Sequence, residues 1–290
     1  MNEQLQLPVY TVDDWSGNTR DNRGVEWWVT GDEGWTGSPP PRVELTDRPQ
    51  RHGAFDAASY RSPRVITLEG VAIAPDRRTK EEAKDRFAAL LADGSALRPL
   101  VVREHTATRR VEVRLTDESR LRDTTPHAFE WSLQVTAPDP NRYSARQHTR
   151  FTPVPTRGPG VDFPLTFPLD FGRTSGGRFT LTNAGTIPTA PVWHIDGPCE
   201  NPAIQELNGD GLLEFDISLT ARQRLTVDVD ARTVVLGSAT SRRASLRAYS
   251  RWFPLRPGDN TILFRTTRGG PDPRPDDRPG LHARWRDAWL

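Results

Sequence analysis

The stretch RVITLEGVAI (64–73) carries apolar residues on both parities. Val65, Thr67, Val71 and Ile73 fall on one face, and Ile66, Leu68 and Ala72 fall on the other. The pattern predicts a central strand covered on both sides. Gly70 in its middle predicts a bulge or the close approach of another backbone. Two later stretches alternate strictly. RRVEVRL sets Val111, Val113 and Leu115 against Arg110, Glu112 and Arg114, and AFEWSLQVTA sets Phe129, Trp131, Leu133 and Val135 against Glu130, Ser132 and Gln134. Each therefore reads as a strand with one dry and one wet face. RPLVVRE is a further short strand. Between these segments the period changes. In TKEEAKDRFAALLADG, Ala83, Phe87, Leu90 and Leu91 form one apolar stripe, which predicts a helix over about 79–93. Thr79 and Glu82 fit a capping box at its start, and Gly94 fits its stop.

The first fifty residues mix tryptophan with Gly, Asp and Pro, which reads as short strands and turns. Trp27, Trp28 and Trp35 fill a core or an interface on this reading, ahead of a sugar-binding platform, because each buries a large apolar area. Prolines and glycines recur over 152–177, with Phe163, Phe167 and Phe171 spaced among them. They mark a linker lying on protein surface. Beyond Arg178 the signals are β only, at the short spacing of an antiparallel sandwich or jelly roll. In WFPLRPGDNTILF (252–264) Trp252, Phe253 and Leu255 end one strand. Pro257, Gly258, Asp259 and Asn260 turn the chain, and Ile262 and Phe264 point inward from the return strand, predicting a hairpin.

Composition narrows the function classes. The 290 residues suffice for two domains, and a net charge of +1 gives no general attraction to nucleic acid or anionic membrane. Lys80 and Lys84 are the only lysines, so the positive charge is nearly all arginine. A GC-rich genome accounts for that bias ahead of selection for arginine's forked geometry. The single cysteine, Cys199, excludes an intrachain disulfide and a Cys-based zinc site, and it reads as buried and inert. The N-terminus has neither the basic start nor the apolar core of a signal peptide, and no apolar run reaches the ~20 residues of a membrane span. A chain kept soluble in a cytoplasm, or exported without that signal, is the expectation. No nucleophile elbow, P-loop, H-E-x-x-H or EF-hand loop occurs, and the six histidines show no metal-ligand spacing. Asp228 and Asp230 share a strand face, which reads as solvated rather than as a glycosidase or Ca²⁺ site. No catalytic residue, metal ligand or cofactor is assigned, and the chain reads as a non-enzyme.

Several segments, in order, resemble the distal tail protein family of long, flexible-tailed bacteriophages. In the first half they are RHGAFDAASYRSPRVITLEG, the helix after it, and WSLQVTAPDPNRY. In the second half they are TNAGTIPTAPVWHIDGPCENPAI, LTVDVDARTVV, WFPLRPGDNTILF and RWRDAWL. The resemblance implies a mainly β chain with one helix. Residues 1–150 would be a ring-forming, tail-tube-like split β-barrel, 151–177 the linker, and 178–290 a galectin- or carbohydrate-module-like sandwich. It also implies a homohexameric ring at the tail tip, assembled in the host cytoplasm. That ring would join the tail tube protein to the tail-tip protein, with the tape measure protein and DNA passing through its lumen. Under it Arg103, Arg109, Arg110, Arg114 and Arg122 are the interface or lumen residues. Asn183, Gly185, Gly197, Pro257, Gly258 and Asn260 become determinants of the second fold. The alternative is a glycan-binding adhesin whose sandwich holds host wall sugars, with Trp193 and Trp252 as its contacts. A glycan-cleaving enzyme ranks third, for want of a carboxylate pair.

Overall fold

The computed structural model describes residues 7–155, 177–269 and 279–290. The linker phenylalanines Phe163, Phe167 and Phe171 lie outside the described residues. The chain divides into two compact units. The first is Met1–Ala145 with Trp289–Leu290, and the second is Arg146–Ala288. Among the described residues no helix is long and apolar enough to cross a membrane.

The first unit opens with β1 (Val9–Val12), β2 (Trp15–Gly17), β3 (Thr19–Arg20) and β4 (Glu26–Glu33). Four two-residue strands follow: β5 (Pro41–Arg42), β6 (Thr46–Asp47), β7 (Ala54–Phe55) and β8 (Tyr60–Arg61). Then come β9 (Arg64–Ile73), α1 (Arg77–Ala88), β10 (Arg98–Arg103), β11 (Thr108–Leu115), β12 (Arg120–Thr125), β13 (Ala128–Ala137) and β14 (Arg142–Ser144). The main sheet runs β2-β1-β10-β11-β13-β9-β4-β3, with β12 added to β13. β11 turns the corner: its residues 108–113 pair with β10, while Arg114 and Leu115 pair with Thr136 and Val135 of β13. The dry faces of both halves of the sheet enclose one core, from Val12, Leu100 and Val111 to Ile66, Leu68 and Leu133. A sheet that curls back over its own side chains buries one face of every strand.

Phe87 anchors the helix in this core. Its ring lies 5.7 Å from Trp15, 5.5 Å from Trp27 and 5.2 Å from Trp131. Ala83, Leu90 and Leu91 are buried beside it, as the stripe predicts. The helix boundaries differ from the sequence reading. Asp76, not Thr79, is the N-cap, and its carboxylate accepts from the Thr79 N–H at 2.9 Å. Glu82 is drawn instead to Arg78 at 2.9 Å and Arg23 at 3.5 Å. The helix ends at Ala88, before Leu91 at φ +57°, so Gly94 does not stop it.

β9 is central in pairing, between β13 and β4, but only one of its faces is covered within the chain. Ile66, Leu68 and Ala72 are fully buried, whereas Val65 is 48 % and Ile73 44 % exposed. Gly70 does meet another backbone: a Cβ there would sit 1.9 Å from the Trp28 carbonyl oxygen. The bulge lies on the neighbouring strand, where the register shifts between Val29 and Gly31.

The second unit begins with β15 (His148–Pro153), residues that the sequence pattern splits between the first domain and the linker. It continues with β16 (Arg178–Asn183), β17 (Val192–Asp196), β18 (Cys199–Glu200), β19 (Ala203–Glu206), β20 (Leu212–Glu214), β21 (Ser218–Leu219), β22 (Arg224–Asp228), β23 (Thr233–Leu236) and β24 (Thr240–Ser241). A 3₁₀ turn (Arg243–Ser245), β25 (Gly258–Arg265), β26 (Arg268–Gly269), β27 (Gly280–Trp285) and β28 (Ala288–Trp289) complete it, with Trp289 counted in the first unit. A sheet ordered β15-β27-β17-β22-β23-β24 and another ordered β16-β25-β19-β20 bury a common core that includes Trp193, Ile204, Phe215, Phe264 and Leu281.

The 252–264 corner is not a hairpin. Residues 252–254 form no strand, and Arg251 and Leu255 make single bridges to Leu212 and Thr189. β25 pairs instead with β16 and β19. Gly258 takes φ +87°, whereas Asn260 serves through its side chain. Buried at 1 % exposure, Asn260 donates to the carbonyls of Arg256 at 2.8 Å and Gly258 at 3.0 Å, and accepts from the Arg256 N–H at 2.9 Å. A buried amide that bonds the chain on both sides of the corner holds it without a partner strand.

Candidate functional site

Four of the five arginines expected at an interface or lumen sit on the β10–β11 ladder, and Arg122 stands apart on β12. The structure sorts them by partner. Arg109 is half-buried, bonded to Glu104, with its guanidinium 4.6 Å from the centre of the Trp289 ring. Arg110 pairs with Glu112 and Arg122 with Glu130, both within the chain. Arg103 and Arg114 are exposed and form no ion pair among the described residues. On charge alone, Arg103 and Arg114 are the two available to another molecule.

Around Arg109 lies a cluster that sequence reasoning missed. The Trp35 indole N–H donates to Glu104 at 2.9 Å, and the Arg142 guanidinium lies 5.6 Å from the Trp35 ring centre. Beneath it Arg64 is 1 % exposed. Its Nε donates to the Pro140 carbonyl at 2.8 Å, and its Nη1 to those of Gly34 at 2.7 Å, Trp35 at 3.1 Å and Gly37 at 3.0 Å. Burial, reinforced by the charge of Arg142, pushes the Arg64 pKa down to about 10. The available signal was parity, since Arg64 shares the inward face of Ile66 and Leu68. The cluster is a clamp that ties the tryptophan-rich segment to the barrel. Trp27 at 3 % and Trp35 at 1 % exposure are core residues, while Trp28 is 45 % exposed.

Of the two tryptophans expected at a sugar contact, Trp193 is corrected by its burial. Trp193 is fully buried between the sheets of the second unit, so it offers no face to a ligand. Trp252 is half-buried, and Arg243 lies over its ring at 4.8 Å. Asp228 accepts from the Ala231 N–H at 3.0 Å and so holds its own turn. Cys199 is buried, and burial pushes its thiol up to about 12, leaving no thiolate for chemistry near neutrality. The wet face of the larger sheet of this unit carries a polar network. Arg224 grips Asp196 bidentately at 2.6 and 2.8 Å, and the His282 Nε2 lies 3.3 Å from the same carboxylate. His194 bonds Thr226 at 3.1 Å. Burial first, then neighbouring arginines, hold the His194 pKa below the ordinary value. Burial likewise lowers that of His282, against the opposing pull of Asp196. Among the described residues no cluster of His, Cys, Asp and Glu is arranged to hold a metal ion.

Residues 184–271 match the family model described as siphovirus-type tail component, C-terminal domain. No curated protein sequence matches the chain. Among solved structures, the crystal structure of the Dit protein of phage SPP1, described as a paradigm of the hub adsorption apparatus in phages infecting Gram-positive bacteria, aligns with a TM-score of 0.66 at 13 % identity. That alignment covers 98 % of this chain and 100 % of the SPP1 chain. Two structures of the phage P2 baseplate in its activated conformation, with Ca and with Sr, align at TM-scores of 0.46 and 0.45 and identities of 7 % and 8 %. Each covers 91 % of this chain and 100 % of the other. Residues 184–271 thus carry a siphovirus-type tail component domain. The chain's mainly β architecture with one helix is the fold of the SPP1 Dit protein.

Proposed function

We propose that this chain forms the distal ring of the tail, six copies around a lumen, joining the tail tube protein to the tail-tip protein. The tape measure protein and DNA pass through that lumen, and assembly takes place in the host cytoplasm. The carrying observation is that the chain with the tail-component match at 184–271 also has the distal tail protein fold across 98 % of its length. A hub needs surfaces rather than chemistry, and Arg103 and Arg114, exposed and without an ion pair among the described residues, are suited to contact a neighbouring subunit or the lumen contents. Light scattering with negative-stain imaging of the purified chain, alone and with its tail tube protein, tests the reading. Six-fold rings with a central hole are the expected result. A chain that stays monomeric in both samples overturns it.

A further inference from the structure

The larger sheet of the second unit presents a row of side chains across four strands. Phe151 of β15 stands opposite His282 of β27, His282 opposite His194 of β17, and His194 opposite Thr226 of β22. With ~4.8 Å between neighbouring strands, the row is roughly 14 Å long. It lies on the wet face, since Leu281, Ile195 and Leu225 next to these residues point into the core. Phe151 is 40 % exposed, and its ring centre lies 4.6 Å from that of His282. An aromatic ring open to solvent thus sits at one end of a line of polar side chains.

Those polar side chains are fixed by one another. Asp196 accepts from Nε and Nη2 of Arg224 at 2.6 and 2.8 Å and lies 3.3 Å from Nε2 of His282, while His194 bonds Thr226 at 3.1 Å. Groups already held in place lose little freedom when a ligand arrives. A sugar ring is apolar on its C–H faces and ringed by hydroxyls. The first suits the face of an aromatic ring, and the second needs neighbours that both donate and accept. Neutral imidazoles do both, and the lowered pKa values of His194 and His282 keep both rings neutral near pH 7.

The charges specify the ligand further. Both carboxylates on this face are engaged, Asp196 with Arg224 and Asp228 with the Ala231 N–H. Arg284 stands on the same face, opposite Thr149 and Val192, exposed and without an ion pair among the described residues. The charge left over is positive, and a guanidinium takes a carboxylate or phosphate in paired hydrogen bonds.

We propose that this face binds an acidic saccharide chain, with a sugar ring stacked on Phe151, hydroxyls on His282 and His194, and the acid group on Arg284. The site lies on different residues from Trp193 and Trp252, and it stands independently of the ring reading.

Calorimetric titration of the full-length chain tests it with oligogalacturonate, alginate and hyaluronan oligosaccharides, each beside its neutral methyl ester. At least one acid form should bind, and its ester should bind about tenfold more weakly or worse. Phe151→Leu, which keeps apolar volume without the ring, and Arg284→Gln should each weaken binding by about tenfold and leave the melting temperature within a few degrees. Arg284→Lys should restore part of the loss, whereas Arg103→Gln in the first unit should change nothing. Binding of none of the three acids overturns the proposal. Equal binding of acid and ester overturns the role of Arg284, and binding unaffected by both variants overturns the face. Each of these outcomes leaves the ring reading standing.

Discussion

Nη1 of Arg64 donates to the carbonyl oxygen of Trp35 at 3.1 Å, and both residues are 1 % exposed. A buried guanidinium is costly unless its donors are met, and here backbone carbonyls rather than a carboxylate meet them. Arg64 therefore holds the tryptophan-rich segment in place. Replacing it with Met strands the carbonyls of Gly34, Trp35, Gly37 and Pro140, and we expect a loss of about 3 kcal/mol in denaturant unfolding. Arg64→Lys should recover only part of this, because a point charge cannot span four fixed acceptors.

Adjacent tryptophans on β4 separate stability from association. Trp27→Ala removes a ring packed on Trp15 and Phe87, and should cost about 3–5 kcal/mol. Trp28→Ala should shift unfolding by less than about 1 kcal/mol. Its effect should appear instead as weaker self-association in light scattering.

Gly70→Ala should prevent normal folding. Its Cβ would lie 1.9 Å from the Trp28 carbonyl and 2.5 Å from the Trp131 ring, and neither backbone nor a packed indole can retreat cheaply. Expression of this variant in soluble form with an unchanged melting temperature would contradict the packing described here.

Arginines on the β10–β11 ladder should divide by partner. Arg114→Glu should leave the melting temperature within a few degrees and reduce ring assembly, most strongly at low salt. Arg109→Ala should lower stability by about 1–3 kcal/mol, because it deserts Glu104 and uncovers Trp289. Paired melting curves and assembly assays distinguish the two outcomes.

The second unit should lose stability on mild acidification. His194 and His282 have folded pKa values held below the ordinary 6.5, so the unfolded chain takes up protons first as the pH falls. Their contribution is complete above pH 6.5 and declines from there toward their lower folded values. The double variant His194→Gln, His282→Gln should flatten the unfolding free energy over that range, as measured by urea titration at a series of pH values.

Some elements were legible in the chain because their signals are local. The alternation of β11 and β13, the stripe on α1 and the demand at Gly70 each depend on a few consecutive residues and the pleat or pitch that carries them. The order of segments likewise pointed to the fold that aligns with the SPP1 Dit protein. The corner at 252–264 reads as a hairpin in the sequence because turn chemistry specifies a bend but not the strand that pairs after it. β25 found β16 and β19, which lie far away in sequence. Thr79 lost the cap to Asp76 for a related reason: both residues suit the role, and the carboxylate three residues earlier already satisfies the Thr79 N–H.

The sequence by itself determined the faces of β11 and β13, the single α-helix and the β-only second half. Tertiary structure alone decided which arginines are spoken for. It turned Arg64 and Arg109 into internal clamps and left Arg103 and Arg114 facing outward. It also buried Trp193 while exposing Trp28. Periodicity tells which side of a strand a residue occupies. Whether that side meets a second layer, a carboxylate or water depends on segments brought together from across the chain.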